Sequence, residues 1–300
     1  MIRTLPMMIL GLLLMTAITR AAGEKKTVAP TEAGLRYGPY ERNVLNFWQA
    51  KSDKPTPLIF HIHGGGWIRG DMDAAEDPAE WLDHGFSVVS IRYRFTGNDQ
   101  LPAPVYDAAR ALQWVRFHAR ELNIDPAFII CTGTSAGATS SLWLALHDDL
   151  ADPKNPDPVA RESTKPFAAI ALRPQTTLDS KWILDHIGPE AIKHKMLSQS
   201  FGALSSEEMI AHPERYAAAV HEFSVIEHLD AKDAPLFIQV DADASVPAKT
   251  TSHGIHHPLF GSTLKARADA AGLECRLESG PYNVATGRAW VEKLIGREAP

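Results

Sequence analysis

A serine between glycines is the residue in this chain best suited to covalent chemistry. Gly133-Thr134-Ser135-Ala136-Gly137 follows an apolar run and opens a helical pattern, which is the strand-turn-helix context that gives a G-x-S-x-G motif chemical meaning. The glycines permit a tight turn because they carry no Cβ. Such a turn would hold the Ser135 hydroxyl above the sheet edge, with the N–H of Ala136 at the helix N-terminus facing developing negative charge. The motif therefore predicts a serine nucleophile.

A second motif, His63-Gly64-Gly65-Gly66-Trp67, directly follows another predicted strand. Three successive glycines let backbone N–H groups come close to a substrate oxygen, and a transition-state oxyanion needs two or more such donors about 3 Å away. A phosphate-binding loop is the alternative, but no Gly-Lys-Ser/Thr follows, so a nucleotide site is not indicated. The two motifs together indicate acyl transfer, with an oxyanion hole formed by Gly64, Gly65, Gly66 and Ala136.

Three side chains near this loop have simpler expected roles. His63 is expected to brace the glycines through a hydrogen bond rather than to act as a base. Trp67 is expected to pack beside the loop or to line the substrate pocket, and we treat it as a candidate substrate-binding residue. His61 alternates with His63 along the strand and is most simply a core histidine with its hydrogen bonds satisfied.

Short apolar runs alternate with helical patterns along the chain, which is typical of a largely parallel α/β sheet. The predicted strands are residues 58–63, 87–91, 127–131, 167–172, 235–240 and 273–278, and the predicted helices are residues 74–84, 104–122, 135–147 and 258–271. Residues 176–233 are rich in charge and lack strand character, so we expect a helical cap-like insertion there. The economical organisation is one domain over residues 24–300.

Composition excludes several classes of protein. The chain is 45% hydrophobic and 22% charged, which excludes collagen, coiled coil and wholesale disorder. A formal net charge of −6 provides no electrostatic footprint for nucleic acid. The two cysteines, Cys131 and Cys275, lie in apolar strand-like runs and are expected to be free thiols, with a disulfide as the alternative.

Residues 1–23 have the pattern of a signal peptide. Arg3 precedes an apolar run, and Ala21-Ala22-Gly23 then offers the small residues that a signal peptidase needs. The run is too short to span a bilayer comfortably, and an uncleaved anchor is the alternative. We therefore expect a secreted or periplasmic protein without stable membrane insertion.

These motifs resemble those of the α/β-hydrolases, specifically of esterases and lipases with an H-G-G-G-W oxyanion loop. Among these, the chain is similar to secreted bacterial carbohydrate esterases such as acetylxylan and feruloyl esterases, from about Leu35 to Val246. The resemblance implies an α/β-hydrolase fold, a mostly parallel central sheet flanked by helices. It also implies a small-molecule or oligosaccharide ester as substrate, and a mechanism that requires no metal or organic cofactor.

The resemblance further implies an acid after the penultimate strand. Asp243-Ala244-Ser245-Val246-Pro247 matches the D-x-x-V-P pattern of the family, so Asp243 would orient a histidine and stabilise its imidazolium. Asp241 is the nearby alternative acid. The other interpretation is that Asp243 merely begins a turn.

The sequence departs from the family at the catalytic histidine, which the resemblance places in the loop after the last strand. That loop, residues 279–287, contains no histidine, and none of the 13 histidines lies beyond His257. Neither Tyr282 nor Asn283 is a useful base near neutral pH. This departure keeps a second class of function open: a catalytically degenerate hydrolase-fold protein that binds its ligand and retains the turn as part of the fold.

Three other histidines could supply the base, of which we place His257 first, with His256 or His253 as the alternatives. His253, His256 and His257 follow Asp243 closely and precede the helix predicted from Pro258, and a helix N-terminus keeps an imidazole neutral. A surface cluster or helix cap is the alternative, and a zinc site from these three is disfavoured because no carboxylate completes it. The sequence thus favours a secreted serine esterase for short-chain acyl esters, with acetyl or feruloyl groups of plant polysaccharides as candidates.

Overall fold

A computed structural model describes residues 28–74 and 77–296 of the chain. The predicted signal peptide, residues 1–23, lies outside the described residues. The strands are β1 (Glu32–Arg36), β2 (Val44–Trp48), β3 (Thr56–Ile62), β4 (Ser87–Ile91), β5 (Ile124–Thr134), β6 (Ala168–Leu172), β7 (Leu236–Val240) and β8 (Cys275–Ser279). The helices are α1 (Pro78–Asp83), α2 (Ala103–Phe117), α3 (Ala136–Leu146), α4 (Ser180–His186), α5 (Pro189–Ile192), α6 (Lys195–Ser200), α7 (Ser206–Ala211), α8 (Pro213–Phe223), α9 (Thr251–Ile255), α10 (Leu259–Ala271) and α11 (Val284–Leu294).

The eight strands form one sheet in the order β1-β2-β4-β3-β5-β6-β7-β8. Strand β2 pairs antiparallel with the edge strand β1 and with β4, and all pairings from β4 through β8 are parallel. Strands β3, β4, β6 and β7 are buried along their whole length because helices cover both faces of the sheet, which explains why they read as continuous apolar runs. This is the α/β-hydrolase architecture expected from the sequence.

The structure differs from the sequence prediction mainly at the ends of elements. The helix predicted over residues 74–84 begins only at Pro78, because Asp77 caps it by accepting a hydrogen bond from the N–H of Glu80 at 3.3 Å. The strands β1 and β2 and the helix α11 were not predicted. Most of β1 is exposed, so the chain there has no buried apolar run to indicate a strand.

Helices α4 to α8 occupy the chain between β6 and β7, in the part predicted to be a helical insertion. Cys131, buried on β5, and Cys275, half-buried on β8, are both free. Two strands separate β5 from β8 in the sheet, which is why the two thiols do not pair. Within the described residues, no helix combines the length and the apolar character needed to cross a membrane.

Candidate active site

Ser135 stands at the sharp turn between β5 and α3. Its backbone has φ 56° and ψ −123°, a conformation that costs a non-glycine residue about 1–3 kcal/mol and is characteristic of functional sites. The N–H of Ser135 donates to the carbonyl of Leu172 at the end of β6, at 2.8 Å. The turn is also packed tightly, because a Cβ at Gly137 would lie 2.0 Å from the carbonyl oxygen of Ile62. Glycine is therefore required where α3 passes over β3.

The side chain of His256 meets this serine. Its Nε2 lies 2.9 Å from Ser135 Oγ, and its Nδ1 lies 3.1 Å from the backbone carbonyl oxygen of Ser252. Because a carbonyl only accepts, the neutral ring carries its proton on Nδ1 and presents the Nε2 lone pair to the hydroxyl. This is the geometry that a general base needs to take a proton from a serine nucleophile.

The electrostatic surroundings keep His256 neutral. Burial lowers the pKa of His256 to about 4, and the positive charge of Arg173 acts in the same direction. The carbonyl of Ser252 and the negative charge of Asp241 oppose this shift in pKa to a smaller extent. A neutral imidazole is therefore available as a proton acceptor over the whole neutral range.

The short helix α9 and its close packing against α5 place His256. Thr250 caps α9 by accepting from the N–H of His253 at 3.1 Å, and His256 is the residue that ends the helix. Gly254 faces α5 so closely that a Cβ there would lie 2.5 Å from the Cα of Ala191. The absence of a side chain at this position thus sets how far α9 stands from α5, and with it the position of the imidazole.

The other two candidate histidines have different partners. His257, which we placed first as the base, is 2% exposed and accepts the N–H of Leu259 on Nδ1 at 3.2 Å. His253 contacts the backbone N–H of Lys249 at 3.1 Å and the carbonyl of Asp243 at 2.9 Å. Of the three, the structure brings His256 to Ser135, whereas His257 caps the start of α10 and His253 braces the loop after β7.

The contacts of Asp243 contradict its predicted role as the orienting acid. Its carboxylate is exposed and accepts from Lys249 Nζ at 2.8 Å and from the N–H of Ser245 at 3.0 Å. These hydrogen bonds, that from Lys249 first, hold the pKa of Asp243 well below its usual range. Both ring nitrogens of His256 have other partners, so a backbone carbonyl stands where the family has an acid. The alternative, Asp241, acts on His256 through its charge.

The loop of Gly64, Gly65 and Gly66, which we call the glycine loop, lies directly beside the nucleophile. A Cβ at Gly64 would be 3.6 Å from Ser135 Cβ, and the N–H of Ala136 belongs to the first turn of α3, which has no intrahelical partner to offer it. His63 Nδ1 lies 2.7 Å from the carbonyl oxygen of Gly64, and the hydroxyl of Tyr93 donates to the carbonyl of His63 at 2.8 Å. These contacts give His63 the bracing role expected of it.

Trp67 does not line a substrate pocket. Its side chain is fully buried, and its indole N–H donates to Ser140 Oγ on α3 at 2.9 Å. The tryptophan thus ties the glycine loop to the helix that begins at Ser135, and the expectation that it binds substrate is wrong. His61 is a satisfied core histidine, as expected, with Nδ1 3.0 Å from Ser90 Oγ.

A fourth histidine, His194, enters the site from the helical insertion, and sequence reasoning missed it. A Cβ at Gly66 would lie 3.3 Å from His194 Cε1 and 3.2 Å from Met196 Cβ. His194 Nδ1 accepts the N–H of Met196 at 3.2 Å at the start of α6, which leaves the proton on Nε2. Burial lowers the pKa of His194. No motif marks this residue, because only the path of the insertion brings it over the glycine loop.

Two cavities are candidates for the substrate space. One of about 220 Å³ adjoins the turn between β5 and α3. It is lined by Thr134, Arg173, Asp241 and the loop Gly280-Pro281-Tyr282 after β8, among others. A larger one, of about 620 Å³, lies among the insertion helices and α10, with Trp182, Tyr216 and Val220 in its wall. Neither Ser135 nor His256 lines the larger cavity, so its size does not make it the place of the chemistry.

Comparisons with known proteins find relatives that are named as esterases. The family model described as BD-FAE matches residues 46–258. Two relatives from Mycobacterium tuberculosis are esterase LipQ, 32% identical over 130 residues, and carboxylesterase NlhH, 35% identical over 101 residues. The alignments cover 41% and 33% of this chain, and 31% and 32% of the respective relatives. The chain thus spans about a third of the length of these curated relatives.

Solved structures resemble the chain over most of its length. A truncated carbohydrate esterase from gut microbiota has a TM-score of 0.68 at 21% identity, covering 86% of this chain and 89% of that one. The acetyl ester-xyloside bifunctional hydrolase of Caldicellulosiruptor lactoaceticus has a TM-score of 0.68 at 22% identity, covering 91% and 99%. At such identities the likeness establishes the shared fold.

Proposed function

Because the chain belongs to the BD-FAE family and has the α/β-hydrolase fold, we propose that it is an exported serine esterase for short-chain carboxylic esters. The observation that carries the proposal is the 2.9 Å contact between Ser135 Oγ and His256 Nε2 at the turn after β5. Export rests on the predicted signal peptide, residues 1–23.

The proposed reaction has two halves. Ser135 Oγ attacks the ester carbonyl carbon while its proton passes to His256 Nε2, and the carbonyl oxygen becomes an oxyanion. The N–H groups of Gly64, Gly65 and Ala136 stabilise that oxyanion. The imidazolium then protonates the departing alkoxide, which leaves an acyl-enzyme. Water, deprotonated by His256, attacks the acyl carbon and releases the carboxylic acid and the free serine.

The backbone carbonyl of Ser252 takes over the orienting task of the acid in this mechanism. It accepts from Nδ1 in the neutral ring and in the imidazolium alike, so it fixes the tautomer. A carbonyl carries only a partial charge and stabilises the imidazolium less than a carboxylate does. We therefore expect a slower enzyme than one with a complete Ser-His-Asp triad.

The surroundings of the oxyanion loop favour small acyl groups. His194 and Met196 lie over Gly66 and restrict the space above the proposed oxyanion donors. Two solved structures with the same fold are described as a carbohydrate esterase and an acetyl ester-xyloside hydrolase. Acetyl esters, including those on polysaccharides, are thus the substrate class that we propose first, and feruloyl esters the second.

Hydrolysis of matched esters tests this proposal. We expect the chain to hydrolyse p-nitrophenyl acetate with a higher kcat/KM than p-nitrophenyl octanoate, and to release acetate from acetylated xylan, because space above the glycine loop is limited. Activity on methyl ferulate would assign the second substrate class. If the wild type hydrolyses none of these esters faster than Ser135→Ala, the degenerate binding protein replaces the esterase.

The pH dependence gives a second test. Because protonation of His256 removes the base and its pKa is about 4, we expect kcat/KM to fall as the pH drops through about 4 and to be level from there to neutrality. Arg173→Gln removes a positive charge that lowers the pKa of His256. We therefore expect kcat/KM of this variant to begin to fall at a higher pH than that of the wild type. Arg267→Gln, which alters a wall of the larger cavity, is the control and keeps the wild-type limb. A wild-type limb near 6.5, the ordinary pKa of histidine, would contradict the environment described for His256.

A further inference from the structure

Two histidines and a glutamate meet where the end of α3 touches the helical insertion. His147 ends α3, Glu222 lies on α8, and His228 ends the short 3-10 turn that follows. One ring nitrogen of each histidine and one carboxylate oxygen lie within 4.8 Å of one another. The three residues come from separate segments and are each half-buried, so the fold, and no local motif, assembles them.

Both ring nitrogens of His147 face hydrogen-bond acceptors, which favours a cation at this place. Its Nδ1 lies 2.8 Å from the carbonyl oxygen of Asp148, and its Nε2 lies 3.1 Å from Glu222 Oε1. Both partners are acceptors, whereas a neutral imidazole has a single N–H. With the proton on Nδ1, the Nε2 lone pair faces a carboxylate lone pair, and a positive charge between them is needed to make the contact favourable.

His228, like His147, has one ring nitrogen held by a backbone carbonyl. Its Nε2 lies 2.7 Å from the backbone carbonyl oxygen of Glu222, so that nitrogen carries the proton and Nδ1 keeps its lone pair. An imidazole whose N–H is held by a carbonyl is the usual arrangement around metal-binding histidines. Trp143 stacks on the His147 ring at 4.1 Å and donates to the Glu222 carbonyl at 3.0 Å, which holds the two segments together.

We propose that His147, Glu222 and His228 bind a divalent first-row transition metal ion, with Zn²⁺ as the best fit. Two imidazole nitrogens and one carboxylate oxygen are a common zinc donor set, and water would complete four-coordination. Ligand atoms at zinc distances stand about 3.3 Å apart, close to the 3.1 Å between His147 Nε2 and Glu222 Oε1.

The position of the site suggests what the metal would do. The helix α3 has Ser135 at its start and His147 at its end, and α8 belongs to the insertion that also carries His194. A metal ion bound to both segments would join the insertion to the central domain and stabilise the folded state by mass action. The site contains neither Ser135 nor His256, so its occupancy is separable from the proposed ester hydrolysis.

Zinc titration tests the proposal directly. After chelator treatment and dialysis, the full chain is titrated with ZnCl₂ by calorimetry near pH 7.5. We expect one ion per chain and a higher thermal unfolding temperature when zinc is present. His147→Gln, Glu222→Gln and His228→Gln should each weaken binding by at least about tenfold. Cobalt in place of zinc should give the visible absorption of a four-coordinate nitrogen and oxygen site, a readout that needs no variant.

Two controls separate this site from the alternatives. His118 forms a surface contact with Glu121 at 2.6 Å but is not part of the three-residue cluster, so His118→Gln should leave zinc binding unchanged. His256→Ala tests the histidines beside Ser135 and should also bind normally. The proposal is overturned if no saturable binding of one ion occurs, which would leave a protonated ion pair only, or if zinc binding is lost in His256→Ala and kept in His147→Gln.

Discussion

Alanine at Ser135 or at His256 is expected to lower kcat/KM for p-nitrophenyl acetate by at least about a thousandfold, with little further loss when the two changes are combined. Removal of one member disables the other, because the hydroxyl is a weak nucleophile without a base, and without the hydroxyl no acyl-enzyme forms for the base-activated water to attack. Residues that act as a unit are strongly non-additive. The measurement is kcat and KM for both single variants and the double variant.

Matched variants at neighbouring positions make this result specific. His257→Asn keeps an acceptor for the N–H of Leu259, and Asp243→Asn keeps the side-chain shape in an exposed loop, so each is expected to change kcat/KM by less than about threefold. Their circular dichroism spectra should match the wild type. A loss of kcat/KM in Asp243→Asn as large as that in His256→Ala would contradict the contacts of this carboxylate with Lys249 and Ser245. It would show that the loop after β7 rearranges to bring Asp243 to the histidine.

Gly254→Ala is expected to reduce kcat by about a hundredfold while the protein stays folded. The added Cβ would lie 2.5 Å from the Cα of Ala191, which is backbone of α5 and cannot turn aside, so α9 must shift and carry His256 with it. A misplacement of about 1 Å in a catalytic group costs about that factor. The measurement is kcat together with the thermal unfolding temperature.

Ser252→Ala is the control on the same helix. Its side chain is exposed, and the carbonyl that orients His256 is retained, so wild-type kcat is expected. If Gly254→Ala were as active as the wild type, the position of His256 would not depend on the packing of α9 against α5. Equal loss in both variants would instead indicate that any change in α9 disturbs the site.

The nucleophile and its loop could be found from the sequence because their geometry is local. Five consecutive residues around Ser135 define the strand, the turn and the helix, and their glycines are needed wherever backbone passes this close to backbone. The parallel strands were also readable, because burial on both faces of a sheet leaves a continuous apolar run. The exposed strand β1 lacks that pattern and was missed for the same reason.

The tertiary structure alone decided which histidine meets the serine. His253, His256 and His257 lie within five residues, so no spacing rule separates them; the packing of α9 on α5 aims only His256 at Ser135. Asp243 fits the family motif, yet the loop turns its carboxylate toward Lys249 and solvent. Trp67 is buried away from the proposed substrate space, whereas His194, which no motif marks, lies over the glycine loop, because burial depends on which segments cover that loop. The sequence by itself determined the parts of the site that are formed by consecutive residues, the nucleophile and the glycine loop. Which residues from distant segments meet them depends on how those segments pack.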